Sequence, residues 1–324
     1  MKNEIFRRLS ALALGLALLL NAAPLPQAFA VEDDTDASSS DSADSTDTAD
    51  KTAVTTADSD PTVTAAAANA PALDATAALL VSPESDMVLY EKNADEKRYP
   101  ASTTKIMTAL LTLENVSDLS AVVTAEASDF ENVTADSSNA GIKVGEQVTV
   151  KDLLYALMLP SANEAAYMLA RHVGGSWEQF VDMMNERAAE LGCTGTHFCN
   201  PCGLHEDDHY TTAHDLYLIA KEAMKDATFR DIVSTVQHRM AKTNLHEERI
   251  ILTTNQLIFS SFQPWSYANC LGIKTGHTSQ AGNCFVGYAE YGDAKLFSVV
   301  LGCSSSSKEY PTVAASFTDT KSLC

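Results

Sequence analysis

The sequence contains three short segments whose side chains could act together in acyl transfer. In the first, Ser102 and Lys105 stand three positions apart, so both would face the same side of a helix. A serine hydroxyl becomes a good nucleophile only when a base takes its proton. Lysine can be that base if burial or a second cation lowers its pKa. The pair predicts a serine nucleophile with a lysine base, although a surface cap serine beside a solvated lysine would have the same spacing.

The other two segments offer groups that could bind a peptide. Ser161 and Asn163 directly precede a helical pattern, where a hydroxyl and an amide could relay a proton and hold a substrate amide. Both residue types are also ordinary helix caps. Lys274, Thr275 and Gly276 lie on a predicted strand, where a cation and a hydroxyl could receive a carboxylate and a glycine permits close approach of a substrate backbone. An edge strand guarded by a lysine is the alternative.

The hydrophobic pattern assigns these segments to a helix start, a turn between helices and a strand. Apolar runs at 78–81 and 87–90, separated by turn residues, predict a β-hairpin. Helical periodicity and capping residues predict helices at about 102–113, 149–159, 163–173, 176–191, 212–225 and 314–323. Strand patterns return at 272–275, 283–288 and 295–301. Strands at both ends with helices between them predict one α+β domain whose sheet joins the first and last segments.

The N-terminal part of the chain has a different composition. Residues 1–30 combine a basic start, a ten-residue apolar run and a small-x-small site at Ala28–Ala30, which predicts a cleaved signal peptide. An uncleaved anchor is the alternative, but a bilayer span needs about 20 apolar residues. Residues 31–72 are rich in Asp, Ser, Thr and Ala and predict a disordered acidic linker. We therefore expect an exported protein, located outside the cell or in the cell wall, whose folded domain occupies residues 73–324.

Charge and cysteine content narrow the class of protein. A net charge of −21 over 324 residues excludes the basic surfaces that bind nucleic acids or anionic membranes. The cysteine count is seven, so at least one thiol is free or pairs between chains. Cys284 and Cys303 lie on consecutive predicted strands and could pair, but buried free thiols fit the sequence equally well.

The three segments occur in the order and context found in the serine penicillin-recognising enzymes. From about Ala77 to Ser322 the chain resembles the D-alanyl-D-alanine carboxypeptidases, the low-molecular-weight penicillin-binding proteins of bacterial cell walls. The resemblance rests on Pro100–Thr108, Leu159–Ala166, Phe180–Ala188 and Gly272–Thr278. It implies an α+β fold of the β-lactamase/transpeptidase type, with an antiparallel sheet formed by the N- and C-terminal segments and a helical lobe between them.

The resemblance also implies catalytic roles. Ser102 would attack the carbonyl between two D-alanines of a peptidoglycan stem peptide and become acylated, with Lys105 as the base. Ser161 and Asn163 would relay protons and bind the peptide. The implied enzyme is a serine-type D-Ala-D-Ala carboxypeptidase that β-lactam antibiotics acylate and that needs no metal or other cofactor.

Substrate binding would fall to the third segment. Lys274 and Thr275 would hold the terminal carboxylate of the substrate beside Gly276. The oxyanion hole would use the backbone N–H groups of Ser102 and His277. Some relatives have an arginine shortly before this strand, but residues 252–273 contain no Arg or Lys, so carboxylate binding would depend more heavily on Lys274 and Thr275. Many relatives also continue into a β-rich domain and a basic amphipathic anchor, so we expect either a secreted form or a truncated sequence.

A zinc site is the main competing reading of the residues. His205–His209 fits the zinc-protease pattern H-E-x-x-H, and Cys199–Cys202 is a C-x-x-C segment. That pattern binds zinc from a regular helix, whereas the preceding Asn200–Gly203 has turn chemistry. The same stretch also matches a loop of the carboxypeptidase family.

Two further alternatives concern the function. A class A-like serine β-lactamase would have a Glu-x-x-Leu-Asn string, which does not occur between Asn163 and Lys274, and the middle motif is Ser-Ala-Asn rather than Ser-Asp-Asn. A catalytically silent wall-binding protein would not need the intact pair Ser102 and Lys105. The sequence therefore favours the carboxypeptidase.

Overall fold

The chain forms a five-stranded antiparallel sheet with helices on both faces. The computed structural model describes residues 70–134, 137–259, 263–309 and 313–324, so the predicted signal peptide and the predicted linker up to residue 69 lie outside the described residues. The strand order is β2-β1-β9-β8-β7, which joins the N- and C-terminal segments as predicted. The strands are β1 Ala77–Ser82, β2 Met87–Lys92, β7 Cys270–Thr278, β8 Gly282–Tyr291 and β9 Ala294–Cys303.

The chain between β2 and β7 forms a helical lobe. It opens with a 3-10 turn, Ala101–Thr104, and contains a second one at Ala127–Phe130. Its helices are α1 Lys105–Asn115, α2 Val150–Met158, α3 Asn163–Gly174, α4 Trp177–Glu190, α5 Ala213–Ala223, α6 Ala227–Ser234 and α7 Gln256–Phe259. Two small hairpins complete the lobe, β3 Val122–Thr124 with β4 Gln147–Thr149 and β5 Gln237–Met240 with β6 Arg249–Leu252. A last helix, α8 Ala315–Leu323, packs back on the sheet.

Capping residues place the helix starts where the sequence predicts them. The hydroxyls of Thr149, Ser176 and Thr212 each accept a backbone N–H three residues later, at 3.1, 3.2 and 3.0 Å. Each contact satisfies one of the free N–H groups of a first turn. The sequence analysis missed α6, α7 and the two small hairpins, because three- or four-residue strands and single-turn helices are too short to show a period.

Burial explains the strand order. Strands β8 and β9 are buried along most of their length, as expected for central strands that are covered on both faces. The larger apolar core lies between the sheet and the helical lobe. The smaller core lies under α8, where the rings of Phe285 and Phe317 meet edge to face at 5.5 Å. Strand β7 is left at the edge of the sheet, beside the helical lobe.

The cysteines and the helices settle two questions that the sequence raised. All seven cysteines lie within the described residues as free thiols, so the possible Cys284–Cys303 disulfide is not formed. Among the described helices, none has the length and apolar character that crossing a bilayer requires.

A charged network fastens α3 to the segment before β4. The guanidinium of Arg171 on α3 donates two hydrogen bonds of 2.9 Å to the carboxylate of Asp129, which is 2% exposed. It also donates to Glu126 at 2.9 Å and to the carbonyl of Thr124 at 2.8 Å. The two-pronged geometry suits arginine and cannot be reproduced by lysine.

We expect Arg171→Ala to lower the free energy of unfolding by about 3 kcal/mol, because it leaves the buried Asp129 carboxylate unpaired. Arg171→Lys should lose less, since it keeps the charge but not the fork. The matched control is Arg239→Ala, which removes an exposed ion pair with Glu248 and should change stability by less than about 1 kcal/mol. Urea unfolding of the three variants measures this, and equal losses for Arg171→Ala and the control would contradict it.

Candidate active site

The ammonium group of Lys105 is the centre of the site. Its Nζ donates to Ser102 Oγ at 2.9 Å, to Asn163 Oδ1 at 2.8 Å and to the carbonyl of Cys202 at 2.7 Å. Lys105 is completely buried, and the three bonds use all three of its N–H donors. Burial lowers the pKa of Lys105 to about 8, an effect partly opposed by Cys202 and Glu164. A lysine with this pKa has a sizeable neutral fraction near neutral pH and can accept a proton.

The turn that carries Ser102 is held by close backbone contacts. Ala101 has a positive φ of 48°, which is uncommon for a residue with a side chain. A Cβ added to Gly203 would lie 1.9 Å from the carbonyl oxygen of Ala101. A Cβ added to Gly276 would lie 2.9 Å from the carbonyl oxygen of Pro100 and 3.1 Å from the backbone nitrogen of Ser102. Only glycine therefore fits on either side of the nucleophile turn.

His209 supports the same turn through a chain of hydrogen bonds. The backbone N–H of Cys199 donates to His209 Nδ1 at 3.1 Å, so the proton of the neutral ring is on Nε2. Nε2 lies 2.8 Å from the hydroxyl of Thr104, which itself donates to the carbonyl of Ala101 at 2.8 Å. Burial lowers the pKa of His209 to about 3, so the ring is neutral in ordinary buffers. His209 is thus a positioning residue for the nucleophile turn.

The second motif lies at the junction of α2 and α3. Ser161 has a positive φ of 66°, and its buried hydroxyl has no hydrogen-bond partner among the described residues. Asn163 is the first residue of α3, which aims its side chain at Lys105. The next residue, Glu164, accepts the backbone N–H of Ala140 at 2.7 Å. This contact brings the loop before β4 against the site.

The third motif divides between the cleft and the interior. Lys274 is 1% exposed, and its Nζ donates to the carbonyl of Thr275 at 3.0 Å. Burial, helped by the nearby Lys105, holds the pKa of Lys274 well below its usual value. The hydroxyl of Thr275 faces outward and lies 2.6 Å from that of Thr254. Thr254 is fixed in turn by its backbone N–H, which donates to the carbonyl of Leu159 at 3.0 Å.

These groups surround a cleft of about 440 Å³ at the free edge of β7. Of the eight predicted site residues, six line it and two, Lys105 and Lys274, lie beneath its surface. The six that line the cleft are Ser102, Ser161, Asn163, Thr275, Gly276 and His277. The tertiary structure thus brings together residues that lie as much as 175 positions apart, 102 to 277, in the sequence.

The H-E-x-x-H string lies in a loop and not on a helix. His209 is engaged with Thr104, and the ring of His205 packs edge to face on Tyr99 at 4.6 Å. Glu206 accepts a hydrogen bond from Asn200 at 2.9 Å. Within the described ranges, no three His, Cys, Asp or Glu side chains are grouped so that they could hold a metal ion.

Sequence reasoning missed three contributors to the site. Cys202 takes part through its backbone carbonyl, which any residue type could supply, so its identity carries no signal. Thr254 is one threonine among many, and only its approach to Thr275 distinguishes it. His209 did carry a signal, but its pattern suggested a metal ligand rather than a hydrogen-bond donor inside the protein.

Known proteins share this fold and these motifs. The D-alanyl-D-alanine carboxypeptidase family, peptidase family S11, matches residues 64–305. The D-alanyl-D-alanine carboxypeptidase DacF of Bacillus subtilis is 34% identical over 72% of this chain and 58% of its own length. The D-alanyl-D-alanine carboxypeptidase of Streptomyces sp. strain K15 is 37% identical over 67% of this chain and 77% of its own length. The crystal structure of the Streptomyces K15 DD-transpeptidase superposes with a TM-score of 0.70 at 34% identity, covering 78% of this chain and 96% of that one.

The predicted fold class is therefore confirmed as the α+β fold of the DD-transpeptidases and penicillin-binding proteins. Within that class, the chain belongs to the D-alanyl-D-alanine carboxypeptidase family. It spans little more than half the length of the Bacillus relative.

The contacts of Thr104 predict an effect on the nucleophile without any contact to substrate. We expect Thr104→Val to slow acylation of the protein by a penicillin by about 10- to 100-fold, because the turn loses the bonds that fix Ala101. Thr112→Val is the matched control, since Thr112 is also buried on α1 and its hydroxyl donates to Thr108 at 2.7 Å. Stopped-flow acylation kinetics measure the rate constant, and equal rates in the two variants would contradict the role of Thr104.

Proposed function

We propose that this chain is a serine-type D-Ala-D-Ala carboxypeptidase that removes the terminal D-alanine from peptidoglycan stem peptides. The observation that carries the proposal is the contact of Ser102 Oγ with the buried Lys105 Nζ at 2.9 Å. Family membership supports the same chemistry. β-Lactam antibiotics, which present a reactive amide to the same serine, would acylate Ser102 as well.

The reaction runs through an acyl-enzyme. Neutral Lys105 takes the proton of Ser102, whose Oγ attacks the carbonyl carbon between the two D-alanines. The backbone N–H groups of Ser102 and His277 stabilise the oxyanion that forms. The C–N bond then breaks, and the departing amine of D-alanine receives a proton through Ser161 and Lys105. Water attacks the ester carbonyl, which releases the shortened peptide and returns the proton to Ser102.

The free edge of β7 gives the substrate its orientation. An extended peptide can add to an exposed sheet edge through backbone hydrogen bonds. With its terminal carboxylate at the Thr275 hydroxyl and its scissile carbonyl between Ser102 and His277, the peptide runs antiparallel to β7. Lys274, directly behind Thr275, contributes positive charge. Because a bound carboxylate favours the charged ammonium, substrate binding and protonation of Lys274 are coupled.

Export to the wall, where stem peptides occur, fits this activity. The support is the signal-like composition of residues 1–30, which lie outside the described residues. The acidic segment 31–72 would then separate the domain from the mature N-terminus.

The direct test uses the nucleophile. We expect wild-type protein to become labelled by a fluorescent penicillin on the peptide that contains Ser102, and to release D-alanine from a peptide ending in D-Ala-D-Ala. Ser102→Ala should abolish both signals, because the acyl-enzyme cannot form. The control Ser176→Ala changes a helix cap remote from the cleft and should keep both. Labelling that survives in Ser102→Ala would overturn the proposal.

The pKa of Lys105 predicts the pH dependence. Only the neutral amine can accept the proton of Ser102, so the second-order rate constant of acylation should rise with pH and level off above about 8. Lys105→Arg stays charged and should lose nearly all acylation at every pH. Lys295→Ala, at an exposed lysine near Glu84, should keep the wild-type profile. A wild-type profile that stays flat across pH 8 would remove Lys105 from the role of base.

A further inference from the structure

A second cavity, of about 570 Å³, lies at the end of the β7–β8 hairpin. The turn residues 279–282 line this cavity, whereas Thr278 and Asn283, which flank the turn, line the active-site cleft. Tyr99, three positions before Ser102, also lines the second cavity. The two spaces therefore adjoin the same hairpin and the same segment of chain that carries the nucleophile.

Two cations line the second cavity. The ammonium of Lys97 lies 3.9 Å from the centroid of the Tyr210 ring and forms no ion pair among the described residues. The guanidinium of Arg98 pairs through Nη2 with Glu96 at 2.7 Å, but its Nε is buried and has no hydrogen-bond partner in the described part of the chain. A buried N–H without a partner is costly, so a ligand that accepts from it would be favoured.

A carboxylate lines the same cavity. The side chain of Asp207 is 97% exposed, and its nearest charged neighbour is His205, at 3.6 Å. Asp207 is therefore free to receive a positive group from a ligand. A cavity with cations and a carboxylate is suited to a ligand that itself carries both charges, because either charge alone would meet a repulsive group.

The proposed substrate orientation leads to this cavity. With the terminal carboxylate at Thr275 and the scissile carbonyl at His277, the peptide continues past Thr278 at about 3.3 Å per residue. The residue that precedes the two D-alanines then lies at the hairpin turn, where the second cavity begins. This step rests on the proposed function, since it uses the placement of the substrate along β7.

We propose that the second cavity selects a stem peptide whose third residue ends in an amino-acid head group, with a carboxylate facing Lys97 and Arg98 and an ammonium facing Asp207. Diamino-dicarboxylic acids have such a side chain when they are linked into a peptide through one end. Lysine offers the ammonium alone. The cavity would thus set substrate class, while the cleft sets the reaction.

The test measures binding to the full chain carrying Ser102→Ala, so that the peptides are not cut. Two peptides ending in D-Ala-D-Ala differ only in the preceding residue, which is diaminopimelic acid in one and lysine in the other. We expect calorimetry to give about tenfold tighter binding of the diaminopimelate peptide, the effect of one charge-assisted contact. Adding Lys97→Ala should bring the ratio of affinities toward one. Adding Asp207→Asn should weaken both peptides by similar factors, since both carry the ammonium.

Lys295→Ala is the matched control, because it removes an exposed lysine outside both spaces, and it should keep the tenfold ratio. Equal affinities of the two peptides, a ratio unchanged by Lys97→Ala, or no binding of either peptide at millimolar concentration would each overturn the proposal. Penicillin labelling of wild-type Ser102 separates this failure from failure of the proposed function. Labelling without selectivity would reject the role of the second cavity alone.

Discussion

The burial of the Lys105 side chain is the constraint on which the active site depends. An amine removed from water must have its N–H groups satisfied, or the cost of desolvation would oppose folding. The three acceptors come from the 3-10 turn, the start of α3 and the loop at Cys202, so those three parts of the lobe must meet at one point. The same burial brings the pKa to about 8, which makes a structural requirement and a chemical property follow from one cause.

A second constraint is the lack of space around the nucleophile. The turn at Ala101 is pressed between Gly203 on one side and Gly276 on the other, at distances that leave no room for a side chain. His209 and Thr104 then fix the carbonyl of Ala101 by hydrogen bonds. Because the turn is confined by packing and by polar contacts together, the direction of the Ser102 hydroxyl is set before any substrate arrives. Such preorganisation is how an active site reduces the reorganisation needed during reaction.

The sheet contributes an edge as well as a scaffold. Strands β8 and β9 are buried in the centre, and β7 closes the row with its outer edge facing the helical lobe. The lobe covers that edge incompletely, and the space left between them is the cleft. The hairpin that ends β7 separates this cleft from the second cavity. The same strand pairing thus positions Thr275 and Gly276 and also determines the path along which an extended peptide could leave the cleft.

The sequence by itself determined the class of fold, most of the helices and the residues of the site. Ser102 and Lys105 could be paired because helical spacing is local, and the caps Thr149, Ser176 and Thr212 were readable because they act on a backbone N–H only three residues away. Family resemblance then supplied the expectation that three distant motifs meet.

Only the tertiary structure decided how each of those residues takes part. Lys274 was expected to receive a carboxylate directly, yet packing buries its ammonium against the carbonyl of Thr275 and leaves the hydroxyl of Thr275 at the surface of the cleft. His209 looked like a metal ligand in the sequence and proved to be a hydrogen-bonding support, because the loop before α5 folds its ring against Thr104. The carbonyl of Cys202 left no trace in the sequence, since every residue has a carbonyl and only the path of the chain can bring that one to Lys105.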